Sequence, residues 1–113
     1  MASTYEKIAT TTLGSAAASY EFTSISGSYT DLILIINGGL TTTTQSFRFQ
    51  FNSDTANNYS YTYMAGNGSA ASSSRASNTG GINAYHVAGQ SDTAVKNNVI
   101  LQLQNYSNAT TFK

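Results

Sequence analysis

Phe47-Arg-Phe-Gln-Phe51, followed after a polar bend by Tyr59-Ser-Tyr-Thr-Tyr63, sets a large aromatic residue at every second position. Successive side chains of a strand point to opposite faces, so each stretch builds one aromatic stripe and one polar stripe. The bend between them, Asn52 to Asn58, is made of Asn, Ser, Asp, Thr and Ala. Asn tolerates positive φ, and Ser and Asp bond their own backbone, so this segment reads as an Asx-rich turn. Upstream, Asp31-Leu-Ile-Leu-Ile-Ile36 is an unbroken apolar run half made of isoleucine, short enough for a strand buried on both faces. Downstream, Val99, Leu101 and Leu103 are staggered against Ile100, Gln102 and Gln104, giving another two-faced strand.

Weaker strands are expected over Tyr5 to Thr10, Tyr20 to Ile25, Asn83 to Ala88 and from Thr110 onward. Turn signals separate the runs at Gly27-Ser28, Asn37-Gly-Gly39, Gly66 to Gly81, Gly89 to Asn98 and Ser107-Asn108. The stretch from Gly66 to Gly81 is rich in Ala and Ser and reads as a long loop, or as an arm that orders against a partner. The Ala16-Ala-Ala18 patch is too short and too Ser-flanked to stand as a helix. Turn signals about ten residues apart predict an all-β, antiparallel, jelly-roll-like β-sandwich of about seven short strands. Its core is expected from Leu32, Leu34, Ile36, Phe47, Phe49, Phe51, Val99, Leu101 and Leu103. The whole chain, 1–113, reads as one domain. A last strand would begin just before Lys113, so either a neighbouring chain completes the sheet or the sequence is the N-terminal part of a longer domain.

Composition narrows function. Of the 113 residues only 9% are charged, five basic residues against five acidic, with no Cys and no Pro. Globular chains carry about 25% charged residues. No disulfide or thiolate metal site can form, and a net charge of zero offers no grip on a phosphate backbone, so no nucleic-acid partner is expected. No apolar run is long enough for a membrane helix, so no membrane partner is expected, and no secretory signal opens the sequence. Soluble monomers keep a net charge away from zero to suppress self-association. With 16 Ser, 16 Thr and 11 Asn, the chain reads instead as one whose neutral, hydroxyl-rich surface packs against neighbours. The spacing of sequence from Lys7 to Lys96 contains no lysine to protect a strand edge.

The motifs that could carry chemistry are weak. Gly66-Asn-Gly-Ser-Ala-Ala71 fits a dinucleotide fingerprint in letters, but Ser72-Ser-Ser-Arg75 is a poor helix to follow it. Asp54 is the one acid of the Asn52 to Asn58 segment, too few for a calcium loop. His86 is the sole histidine, and Glu6, Glu21, Asp31, Asp54 and Asp92 are scattered along the chain. Neither a catalytic triad nor a carboxylate pair is therefore expected. The sequons at Asn58, Asn67, Asn105 and Asn108 are what a chain so rich in Asn, Ser and Thr gives by chance. The reading is a non-enzyme without catalytic residues, metal or cofactor. Tyr59, Tyr61 and Tyr63 are candidate contacts for an interface or a glycan, against the alternative of core pairs with the Phe stripe. Arg75, alone in its Ser-rich stretch, is a candidate anchor for a partner's carboxylate or carbonyls.

Several segments in order, Ser28-Tyr-Thr-Asp-Leu-Ile-Leu34, Phe49-Gln-Phe-Asn-Ser-Asp54 running into Asn58-Tyr-Ser60, Ser74-Arg-Ala-Ser-Asn78, and Leu103 to Lys113, make the chain resemble small structural proteins of tailed bacteriophages. These are variously described as tail, fibre or capsid-accessory proteins. The resemblance covers most of the chain and lies in strands and turns, not in a catalytic signature. It implies localisation in the virion, with major capsid or tail proteins as partners, as a capsid decoration (cement) protein or a fibre subunit. It also implies self-association, with a homotrimer as the expected order, and further strands beyond the last turn. The alternative is a carbohydrate-binding module of a tail fibre that recognises a host glycan.

Overall fold

The computed structural model describes residues 5–41, 46–66, 68–84 and 97–108. Among them the chain is all-β, with six short strands in three two-stranded sheets and no helix. The strands are β1 (Leu32–Gly38), β2 (Phe47–Phe49), β3 (Tyr59–Gly66), β4 (Ala71–Thr79), β5 (Ile82–Ala84) and β6 (Asn97–Leu103). Strand β1 pairs with β6, β2 with β5, and β3 with β4. The chain divides into two compact units, one of Met1–Ile35 with Ile100–Lys113 and one of Ile36–Val99.

In the first unit the backbone N–H of Tyr106 donates to Thr30 O at 2.6 Å. Beside it, the N–H of Asn105 donates to the Asp31 carboxylate at 2.7 Å. Asn105 reaches that position with φ 53°, a left-handed conformation that Asn adopts at little cost. Asp31 therefore opens the apolar strand as an anchor for the turn that follows β6. The Tyr106 hydroxyl donates to Ile25 O at 3.3 Å, and Tyr20 meets Phe22 edge to face with ring centroids 5.0 Å apart. At the expected Gly27-Ser28 turn, the Ser26 hydroxyl oxygen accepts the Ser28 N–H at 3.2 Å.

Three features of the sequence reading need correction. First, β1 is not buried on both faces: its burial alternates, and Leu32 at 8% exposure is the one buried hydrophobic among the described residues. A two-stranded sheet has only one covered layer to offer, so an apolar run longer than that layer must expose every second residue. Second, the segments Tyr5 to Thr10 and Tyr20 to Ile25 form no strand. Period-two patterning permits a strand, but a ladder partner is needed to fix it. Third, Gly66 to Gly81 is not a loop, because nine of its residues form β4. The described residues form six strands. Of the expected strand over Asn83 to Ala88, Asn83 and Ala84 belong to β5 and the remainder lies outside the described residues, as does Thr110 onward. The other expected core positions, Leu34, Ile36, Phe47, Phe49, Phe51, Val99, Leu101 and Leu103, are each half-buried.

In the second unit the turn before β3 closes with Asp54 N donating to Phe51 O at 2.9 Å. Its two central residues, Asn52 and Ser53, have φ of 54° and 58°, the mark of a type I′ turn. Ser has no local reason to prefer that region, whereas Gly enters it freely. Ser53→Gly is expected to stabilise the fold by about 0.5–1 kcal/mol, read as a rise in urea midpoint at unchanged slope. A fall in midpoint would show that the Ser53 side chain does something the turn geometry does not require.

Candidate functional site

The tyrosine stripe of β3 lies on a half-buried face, with Tyr59, Tyr61 and Tyr63 alternating against exposed Ser60, Thr62 and Met64. Antiparallel pairing sets Tyr61 opposite Ala76 and Tyr63 opposite Ser74. Small residues across the ladder leave room for the rings to lie along the sheet, which is what a Ser/Ala-rich β4 offers an aromatic β3. The register shifts between Tyr59 and Tyr61, where Asn78 takes φ 55°. This bulge re-aims Tyr59 relative to the rest of the stripe.

The Tyr59 hydroxyl works inside the fold. It accepts the Phe51 N–H at 3.0 Å and donates to Asp54 O at 3.0 Å, so one oxygen spans both ends of the turn. The Tyr61 hydroxyl accepts from Asn83 Nδ2 at 3.3 Å. The Phe51 and Tyr59 rings stand 6.4 Å apart at 43°, while the other Phe residues of the stripe, Phe47 and Phe49, pair with Ala84 and Ile82 of β5. Asp54 is equally committed: Oδ1 accepts the Ala56 N–H at 2.9 Å and Oδ2 accepts from Asn58 Nδ2 at 3.1 Å. The segment Asn52 to Asn58 is thus an Asx turn closed on itself.

Arg75 sits on the opposite face of the hairpin, exposed and paired across the ladder with Thr62. That places it on the same side as Met64, which pairs with Ser73. At the hairpin end, Met64 to Gly66 and Ala71 to Ser73 line a shallow depression of about 510 Å³. Gly66 closes β3 and Ala71 opens β4, with Gly68 at φ 89° between them. The Gly66 to Ala71 motif is therefore strand–turn–strand, without the helix N-terminus that would receive a pyrophosphate. Among the described residues no group of three or more His, Cys, Asp or Glu could hold a metal. His86 lies outside the described residues.

Two features were not singled out by sequence reasoning. One is the buried pair Gly80-Gly81 beneath the Arg48 side chain. A Gly-Gly pair between a Ser-rich stretch and an apolar residue carries a signal for a tight connector but none for what crosses over it. The other is the exposed apolar face formed by Ile33, Ile35 and Ile100. The unbroken apolar run of β1 contained that signal, but the reading as a doubly buried strand hid it. Comparison with known protein families, curated proteins and solved structures finds no match.

Proposed function

We propose that the protein is a non-enzymatic structural component of a tailed-phage virion, a decoration protein on the capsid or a fibre subunit, that self-associates. What supports the self-associating part is the pairing of the described strands together with the scarcity of charge. Among the described residues each strand has one ladder partner and leaves its other edge unpaired, and a charge-poor surface lets copies approach without repulsion. The jelly-roll-like sandwich is then a property of the assembly, completed when neighbouring chains supply the second layer. The placement in the virion comes from the resemblance of the strand and turn segments to small phage structural proteins.

The fibre-borne glycan module remains the competing reading. It would need tyrosine rings and hydroxyls presented to a sugar, and the internal hydrogen bonds of Tyr59 and Tyr61 favour the structural reading over it. Quantitative mass spectrometry of purified particles is the test. The expected result is this protein in a fixed simple ratio to the major capsid subunit. A few to a few tens of copies per particle would favour the tail or fibre, and absence from the particle would overturn the virion reading.

A further inference from the structure

We propose that Asn37 is a site of spontaneous deamidation, held back by its place in the β1–β6 ladder and by the hydrogen bond from its side-chain amide to Asn98. Asn37 and Gly38 close β1, both lie in the compact unit Ile36–Val99, and Asn37 is exposed. Its Nδ2 donates to Asn98 Oδ1 at 2.7 Å, a contact between exposed side chains 61 residues apart in sequence. The reaction needs an amide carbon followed in the chain by an unhindered backbone nitrogen, and glycine supplies the least hindered one. A Cβ built on Gly38 meets nothing within 4 Å, so this end of the strand is uncrowded.

The Gly38 nitrogen, having given its proton to solvent base, attacks Asn37 Cγ. The N–Cγ bond forms, the Cγ–Nδ2 bond breaks, and ammonia leaves with a proton taken from water. The product is a five-membered succinimide. Water then opens the ring at either carbonyl, giving aspartate or isoaspartate, and no oxidant or reductant takes part. Two restraints oppose ring closure. A strand holds ψ near about +135°, which keeps the next nitrogen turned away from Cγ. The Asn98 bond pins the amide that must swing back toward the chain. Gly38 is the last residue of β1, and ladder ends open at far lower free energy than ladder centres, so fraying reaches the reactive geometry without global unfolding. The two products differ in what they do to the ladder. Aspartate keeps the backbone intact, and Asn98 can turn its amide to donate to the new carboxylate. Isoaspartate inserts a methylene into the main chain, which puts Gly38 out of register with β6.

Peptide mapping of the purified chain, aged in mildly alkaline buffer, tests this. Aspartate and isoaspartate are expected at position 37, carrying heavy oxygen when the water is so labelled. They should form about tenfold more slowly than in the urea-unfolded chain. Gly38→Ala has room for its methyl and no left-handed backbone to strain, and should slow conversion about tenfold by hindering the nitrogen. Asn98→Ala should speed it about threefold or more, whereas Asn98→Asp, which still accepts from Nδ2, should not. Should Asn98→Ala fail to fold, hydroxylamine, which cleaves at a succinimide, is expected to cut the aged, folded wild type between Asn37 and Gly38. No conversion at Asn37 while the urea-unfolded chain converts would overturn the site. Conversion only at Asn67-Gly68, the other Asn-Gly pair of the sequence, would do the same. Equal rates in the folded and unfolded chain, or a rate unmoved by Asn98→Ala, would overturn the restraint.

Discussion

Tyr59→Phe, the loss of one oxygen, is expected to destabilise the protein by about 1–2 kcal/mol. The hydroxyl accepts from Phe51 N and donates to Asp54 O, so removing it leaves a part-buried N–H and a carbonyl without their partner. An unsatisfied buried donor costs about 1–3 kcal/mol, and the lower half of that range applies because the site is only part-buried and water can enter. Asp54 N to Phe51 O still closes the turn in the variant. That remaining bond is why the expected loss is a fraction of the total stability, not the whole of it. Phe keeps the ring against Phe51, so the difference reports the hydrogen bonds rather than packing. Tyr59→Ala would add the lost ring and bring the cost to about 3–5 kcal/mol if the position were core, less at half burial. Urea unfolding followed by tyrosine fluorescence at fixed protein concentration measures both, since self-association would otherwise enter the apparent stability. A Tyr59→Phe variant within a few tenths of a kcal/mol of wild type would show that solvent replaces the staple without loss.

The same residues explain what the sequence could reveal. The aromatic alternation at Phe47 to Phe51 and Tyr59 to Tyr63 was legible because period two admits one backbone conformation, and the structure makes strands of both, although Phe51 itself lies past the end of β2. The turn at Asn52 to Asn58 was legible because Asn and Asp bond locally. Strand β4 was not, because its Ala and Ser side chains carry no apolar period and the strand exists only through pairing with β3. The converse held at Tyr5 to Thr10, where strand-like letters find no ladder among the described residues. Pairing is long-range information, and alternation in one segment does not name its partner. The commitment of the Tyr59 hydroxyl to a turn eight residues back was equally hidden. Among the functional candidates, Arg75 and the three tyrosines were findable as residue types, but the face each occupies came only from the β3–β4 register.

Gly81→Ala should cost about 2 kcal/mol, and Gly80→Ala about half as much, because of what each added methyl would meet. A Cβ on Gly81 would stand 2.9 Å from Phe49 O and 2.7 Å from Arg48 Nε. A Cβ on Gly80 would stand 2.5 Å from Arg48 Nη2 and 3.1 Å from Thr55 O. The shorter distance belongs to the cheaper substitution, since the guanidinium ends a flexible side chain and can swing into solvent. Phe49 O cannot swing. It belongs to the β2–β5 ladder, where Phe49 pairs with Ile82, the residue next to Gly81. Gly80 and Gly81 are themselves held, with Gln50 Nε2 donating to Gly80 O at 2.6 Å and the Thr79 hydroxyl donating to Gly81 O at 2.9 Å. Neither glycine needs a left-handed backbone, so the penalty is steric and Arg48 is its movable part. A double-mutant cycle with Arg48→Ala separates the two contributions. In the Arg48→Ala background Gly80→Ala should keep only the smaller cost that Thr55 O at 3.1 Å imposes, while Gly81→Ala should keep most of its cost through Phe49 O. Equal relief at both positions would mean that the strand carbonyl yields, and that Arg48 alone sets how closely β2 approaches the Gly-Gly connector.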